Sequence, residues 1–172
     1  MTNWTIGDTH FWHENIIKYC NRPFNSAEEM NEVIINNWNS VVEDEDWVFH
    51  VGDFAFGRGS NSRITEIVER LKGHICLIKG NHDRQTRNWY LTHGFDQVEG
   101  GEYYIYDKVK GILLSHRPYP IKTPLINIHG HIHNLMHIAE VGTFHCVSVE
   151  QTNYFPVDLD ELIAKLRGEH EI

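Results

Sequence analysis

Five short blocks of the chain carry side chains able to hold divalent metal ions: Asp8-x-His10, Gly52-Asp53, Gly80-Asn81-His82-Asp83, His116 and Gly130-His131-x-His133. Carboxylate and amide oxygens together with imidazole nitrogens suit first-row and other hard or borderline cations. Each block follows a short apolar run that reads as a β-strand, so the donors are expected to converge at one rim of a sheet. Singly, each block has a bland reading: Gly-Asp and Gly-Asn-His-Asp are turn formers, and a lone histidine after a strand is usually a satisfied core or surface residue. Jointly and in this order they predict a two-metal hydrolytic centre. Asp8 with His10, and His131 with His133, are spaced i, i+2, which in extended backbone sets both side chains on one side as a chelating pair. Asp53 offers two oxygens and can bridge two ions. Asn81 adds an oxygen without charge, and Gly80 permits the turn that aims it. His82, beside the donors, is suited to give a proton to a leaving oxygen, with Asp83 next to it placed to orient the ring.

Other residues near these blocks have two readings. His13, three residues after His10, is expected to border the site and touch substrate or a metal ligand, or else to pack in a loop. Arg22, Arg58 and Arg117 are candidates for gripping a substrate phosphate, since a guanidinium binds phosphate bidentately, with surface ion pairing as the alternative. Phe11, Trp12 and Tyr119 offer an aromatic wall for a base or aryl group, or core packing.

The elements that must position these groups are partly legible. Strands are expected at Thr5-Ile6, Trp47 to Val51, Ile75 to Lys79, Tyr103 to Asp107, Gly111 to Ser115, Leu125 to His129 and His145 to Glu150, with a hairpin turn over Asp107 to Gly111. A helix begins at Ser26, where Ser26-x-x-Glu29 forms a capping box ahead of Met30, Val33, Ile34, Trp38 and Val41 at helical spacing. A second runs from about Ser62 to a stop at Gly73, a third, weaker one covers Arg84 to His93, and a last starts at Asp158 with Glu161 completing a box. Early strand and helix alternation followed by a strand-rich stretch predicts two sheets packed face to face with helices outside.

With 172 residues and 41% hydrophobic content, one domain over 1–172 is expected, and neither a linker nor a repeat divides it. The formal charge of -9 disfavours a long nucleic-acid duplex as partner. Two divalent ions would nevertheless give the site a local positive surplus suited to a small phosphate. No signal-peptide pattern and no run of about 18 apolar residues is found, so a soluble cytoplasmic protein without membrane partners is expected. Cys20, Cys76 and Cys146 lack C-x-x-C spacing and read as buried thiols. No heptad sets an oligomeric state.

The order D-x-H, G-D, G-N-H-[DE], H, G-H-x-H resembles the signature of the calcineurin-like metallophosphoesterase superfamily, from Asp8 to His133. The tail Asn153 to Val157 and the following helix resemble the ends of small bacterial and phage members. The resemblance implies an α/β fold, a four-layer α/β/β/α sandwich, carrying two divalent ions drawn from Mn, Fe, Zn or Ni. By the same resemblance Asp8, His10, Asp53 and His133 would hold one ion, and Asp53, Asn81, His116 and His131 the other, with His82 as proton donor. The implied reaction is in-line attack on phosphorus by a metal-bridging hydroxide. Short connections leave little room for a cap domain, which favours phosphodiesters, including cyclic nucleotides and nucleic-acid ends, as substrate. Phosphomonoesters or nucleotide anhydrides are the alternative within enzymes, and a catalytically silent metal-binding scaffold is the alternative outside them.

Overall fold

The computed structural model describes residues 1–56, 61–99, 103–107, 111–119, 126–135 and 143–168. Its elements in chain order are β1 (Asn3–Ile6), α1 (Glu14–Tyr19), α2 (Ala27–Val41), β2 (Trp47–His50), α3 (Asn61–Val68), β3 (His74–Ile78) and α4 (Arg87–Leu91). Then come β4 (Gln97–Glu99), β5 (Tyr103–Asp107), β6 (Ile112–Ser115), β7 (Ile126–His129), β8 (Thr143–Cys146), β9 (Val157–Asp158) and α5 (Leu159–Leu166). One sheet has the order β4-β3-β2-β1-β9 and the other β5-β6-β7-β8. In the first, β1 to β4 are parallel and β9 antiparallel; in the second, β5 is antiparallel to β6, while β6, β7 and β8 are parallel.

The strand order explains the layering. The crossovers β1→β2→β3→β4 all step the same way across the sheet, and parallel crossovers share one hand, so their helices fall on one face. The opposite face is left to meet the second sheet. Alternate side chains bear this out: Val48, Ile75 and Leu77 join Met30, Ile34, Trp38 and Ile67 beneath the helices. Phe49, Val51, Cys76 and Ile78 instead meet Ile112, Leu114, Ile126 and Ile128 between the sheets. Each such side chain fully buried contributes about 1.5–3 kcal/mol. Helix α5 sends Leu159, Leu162 and Ile163 into the inter-sheet cluster. The architecture is therefore the expected α/β sandwich of two sheets with helices packed on it.

Helix signals held where a side chain caps the backbone. Ser26 accepts a hydrogen bond from the Glu29 N–H, and Asp158 accepts from the Asp160 and Glu161 N–H groups. The weak third helix is shorter than predicted because Thr86, not Arg84, caps it, accepting from the Trp89 N–H. Strands β4 and β9, three and two residues long, and the six-residue α1 were not predicted. Strands β5 and β6 pair as the expected hairpin does, and residues 108–110 of its turn lie outside the described residues. Among the described residues no helix is long and apolar enough to cross a membrane.

Candidate metal centre

Because β1, β2 and β3 are parallel, the segments that leave their C-terminal ends share one rim; β6, β7 and β8 give a second rim in the same way. Gly7 stitches the two rims together: its N–H donates to the Val147 carbonyl at 2.9 Å, and its carbonyl accepts from the Val149 N–H at 3.1 Å. The donors thus meet at the junction of two sheets, where a single rim was expected. Asp8, His10 and His133 form one group of metal-type donors lying within 4.8 Å of one another, and Asp53, His116 and His131 form a second. Asn81 joins the second group, its Oδ1 standing 2.9 Å from His116 Nε2.

The chelating pairs are not extended. Asp8 (φ 55°), His10 (φ 49°), Asp53 (φ 56°), His131 (φ 70°) and His133 (φ 51°) all occupy the left-handed region. The i, i+2 alternation argument therefore fails; tight turns aim these groups. Asp and His tolerate this conformation better than most residues, yet each instance still costs about 1–3 kcal/mol, which the surroundings must hold in place.

Hydrogen bonds show how they do so. The Asp8 and His10 N–H groups donate to the carbonyls of Gly52 and Asp53, lacing the first block to the second. His50 is a further latch: its Nδ1 accepts from the Gly52 N–H at 3.2 Å, and its Nε2 donates to Thr9 Oγ1 at 3.0 Å, since that hydroxyl itself donates to the Phe54 carbonyl. Burial keeps this imidazole neutral, its pKa pushed down to about 3. Asp83 accepts backbone N–H groups from Asp53, Phe54 and Gly80 with its two oxygens. It therefore fixes the turn that carries Asp53, and this corrects the expectation that it orients the His82 ring. Gly80 is needed for space and not for a special turn: a Cβ there would lie 2.5 Å from the Asp53 nitrogen and collide with its carboxylate. Gly80→Ala is accordingly expected to lower stability by about 1–3 kcal/mol and to weaken metal binding. Thermal melts and metal titration check this, and a variant matching wild type in both would refute the role.

The tautomers are set from behind. His116 Nδ1 donates to the Val51 carbonyl at 3.0 Å, leaving Nε2 facing Asp53 Oδ2 at 3.3 Å, His131 Nδ1 at 3.1 Å and Asn81 Oδ1. His133 Nδ1 donates to Glu150 Oε1 at 3.0 Å, which frees its Nε2, 4.0 Å from Asp8 Oδ1. Asp53 Oδ2 lies 3.6 Å from His10 Nε2 as well, so this oxygen stands between the two groups. Asp8 Oδ2 accepts from Ser148 Oγ and the His131 N–H, while Asp8 Oδ1 and His10 Nε2 are buried without a hydrogen-bond partner among the described residues.

This arrangement fits two cations. Asp53 Oδ2, Asn81 Oδ1 and His131 Nδ1 all face His116 Nε2, more than one proton there can serve, and Asp8 Oδ1 and His10 Nε2 find no hydrogen-bond partner among the described residues. Burial lifts the Asp8 carboxyl to about 6, even though the charges of His116 and His133 and the Ser148 bond pull the other way. Burial also acts against the charge on Asp53, but the His116 hydrogen bond and charge, the His10 charge and the His82 N–H outweigh it and hold this carboxyl well below its usual range. His133 is raised to about 10: burial lowers it, and the hydrogen bonds it donates to Cys20 and Glu150, with the charges of Asp8 and Glu150, more than compensate.

The remaining predicted residues divide. His13 is buried beside the site, its Nδ1 3.3 Å from His10 Nδ1, so it touches a predicted ligand and can fix its tautomer. The guanidinium of Arg22 is turned inward, bonded to the carbonyls of Asp8 (2.8 Å) and Thr9 (3.0 Å) and paired with Glu150 at 2.7 Å. It cannot grip substrate, which corrects that expectation. Arg117 is exposed and near enough to His131 to help lower its pKa, after burial and the His116 charge. Arg58 lies outside the described residues. Of the supposed aromatic wall, Phe11 is fully buried in the core, Trp12 packs under Arg63 and Tyr119 is tied to Asn127 through its backbone. Glu150 and Ser148 were missed; each follows β8 at spacings that match no block, and only the three-dimensional junction brings them in.

A cleft of about 280 Å³ opens over both groups, lined by His10, Asp53, Asn81, His82, His131 and His133 together with His13, Asn15, Ile16, Tyr19 and Phe56. The half-buried His82 ring stands edge-on to His10 at 5.4 Å and makes no hydrogen bond among the described residues.

Sequence comparison agrees with this geometry over the full length. The chain is 41% identical over 170 residues to the uncharacterized protein MJ1445 of Methanocaldococcus jannaschii, covering 94% of this chain and 88% of that protein. Among solved structures it is similar to the protein of unknown function AQ665 from Aquifex aeolicus, with a TM-score of 0.68 and 29% identity over 94% of this chain and 97% of that one. The sequence pattern of the calcineurin-like phosphoesterases matches residues 1–171. With that match and two groups of metal-binding side chains at the sheet junction, the chain belongs to the calcineurin-like phosphoesterase family, metal-dependent hydrolases of phosphate esters.

Proposed function

We propose that the protein is a dimetal phosphodiesterase. Asp8, His10, Asp53 and His133 would hold one ion and Asp53, Asn81, His116 and His131 the other, with Mn, Fe, Zn and Ni all compatible with this mixed donor set. The two ions, once bound, supply Lewis acidity toward the phosphate oxygens and an activated water. The observation that carries the reading is the cleft itself: members of both donor groups and the His82 imidazole line it together. His82 gives a proton to the departing oxygen, its backbone held by the N–H bond to Asp53 Oδ1 at 2.8 Å. Arg117, exposed and near His131, supplies positive charge to a phosphate oxygen. Asp83 acts on the reaction only through Asp53. An open cleft next to the ions accommodates an ester group on each side of phosphorus, which is why a diester, cyclic nucleotide or nucleic-acid end suits it better than an enclosed monoester. Free thiols at Cys20, Cys76 and Cys146 suit a reducing cytoplasm.

The test is hydrolysis of a diester and a monoester of one phenol, with Mn restored after chelation. Wild type is expected to prefer the diester. His82→Ala should retain both metals and lose about 10²- to 10⁴-fold in kcat with an alkoxide leaving group, and much less with nitrophenolate, which needs no proton. Equal losses with both leaving groups would remove His82 from the proton-donor role, and turnover of the monoester alone would make the protein a phosphatase.

A further inference from the structure

Two of the five large hydrophobic side chains exposed among the described residues, Tyr19 (74% exposed) and Phe56 (41% exposed), stand on the lining of the same cleft. A single exposed aromatic needs no explanation; two on the lining of one cleft with the proposed metal ligands do. Their setting is ordered. Phe56 stacks on His13 with ring centroids 3.8 Å apart and planes 15° apart, and Tyr19 meets the same imidazole edge-on at 6.3 Å. His13 is held in turn by His10, and Phe56 stands edge-on to His82 at 5.3 Å. The aromatic rim is thus continuous with one proposed metal ligand and with the proposed proton donor.

We propose that Phe56, with Tyr19 as a wall roughly perpendicular to it, forms a stacking platform for the base of a nucleoside attached to the scissile phosphate, so that the substrate is a nucleoside-bearing phosphate ester. This rests on the phosphoesterase reading for where the phosphate sits. A group leaving from beside His82 lies against Phe56, and a flat ring there can stack on the Phe56 face opposite His13. Stacking accepts any base, because each has a π-face. The net charge of -9 allows a mononucleotide unit or a strand end but opposes a long polyphosphate track.

The experiment compares binding of AMP and ribose 5-phosphate to the Mn-loaded protein by calorimetry. Both probes place the same phosphate at the metals, and only AMP carries a base. AMP is expected to bind about ten-fold tighter, and a Tyr19→Ala/Phe56→Leu variant should bring it close to ribose 5-phosphate while leaving the latter unchanged. Tyr19→Ala alone alters an exposed position, so an unchanged melting temperature together with a partial loss of the AMP preference guards against misfolding of the double variant. Equal affinity of the two probes in wild type, or an AMP preference that survives both substitutions, overturns the platform. Hydrolysis of thymidine 5′-(p-nitrophenyl phosphate) run in parallel separates the two readings: an AMP preference without turnover sinks the phosphodiesterase and leaves the platform, and turnover without the preference does the reverse.

Discussion

Asp53→Ala is expected to lower turnover by more than about 10³-fold and to reduce bound metal from two ions to at most one. Its carboxylate oxygen Oδ2 faces both groups, 3.6 Å from His10 Nε2 and 3.3 Å from His116 Nε2, so its loss affects both ions at once. The alanine change also strains the chain, because position 53 has φ 56°. Asp53→Asn is the cleaner variant: asparagine tolerates the left-handed region and keeps the acceptor for the His82 N–H, while removing the charge. Metal content by mass spectrometry after dialysis, read beside activity, makes the comparison. Asp53→Asn protein that retains two ions at wild-type affinity would show that Asp53 does not bridge. Loss of metal in Asp53→Ala but not in Asp53→Asn would assign the effect to backbone strain.

The difference between what the sequence reveals and what the structure adds follows from the range of the forces involved. Ser26 and Asp158 announce helices because a cap is a local bond between residues two or three apart. The five donor blocks are legible because each needs only its own residue types after a strand. Their conformation is not: alternation along an extended segment is the simplest local geometry, and the left-handed turns at Asp8, His10, Asp53, His131 and His133 exist because loops from other strands hold them. Strands β4 and β9 have too few residues to carry a pattern and are strands by virtue of their neighbours. Glu150 is 17 residues from His133 and 128 from Arg22, separations across which no periodicity speaks. Proximity in sequence to Asp8-x-His10 and His116 points to Phe11, Trp12 and Tyr119 as an aromatic wall, yet Phe11 lies in the core and the aromatics lining the cleft are Tyr19 and Phe56, from α1 and the segment after Ala55. Arg22 has the type of a phosphate grip and the position of a structural cation; burial alone tells them apart.

That cation underlies the second large effect. Arg22→Met should destabilise the fold by about 3–5 kcal/mol, the range for removing one partner of a buried ion pair. The guanidinium makes five contacts at once: Glu150 twice through Nε and Nη2, the Asp8 carbonyl, the Thr9 carbonyl and the Met30 sulfur. Methionine matches the volume but leaves Glu150 buried, with Oε2 already lacking a hydrogen-bond partner among the described residues, and releases two carbonyls flanking a strained turn. Arg22→Lys should rescue little, because one ammonium cannot span carboxylate and carbonyls in the plane of the fork. The consequence reaches the metal site along Arg22–Glu150–His133: without the guanidinium, Glu150 no longer sits fixed at 3.0 Å from His133 Nδ1, and metal affinity should fall by about 10- to 100-fold, as for other carboxylates that orient a ligating histidine. A double-mutant cycle separates pair from parts. Arg22→Met with Glu150→Gln should lose clearly less stability than the two single variants summed, since the unpaired charge is gone, while metal affinity stays low. Additive losses in urea unfolding would mean that the two residues act independently, and wild-type metal affinity in Arg22→Met would break the link from the buried cation to the metal site.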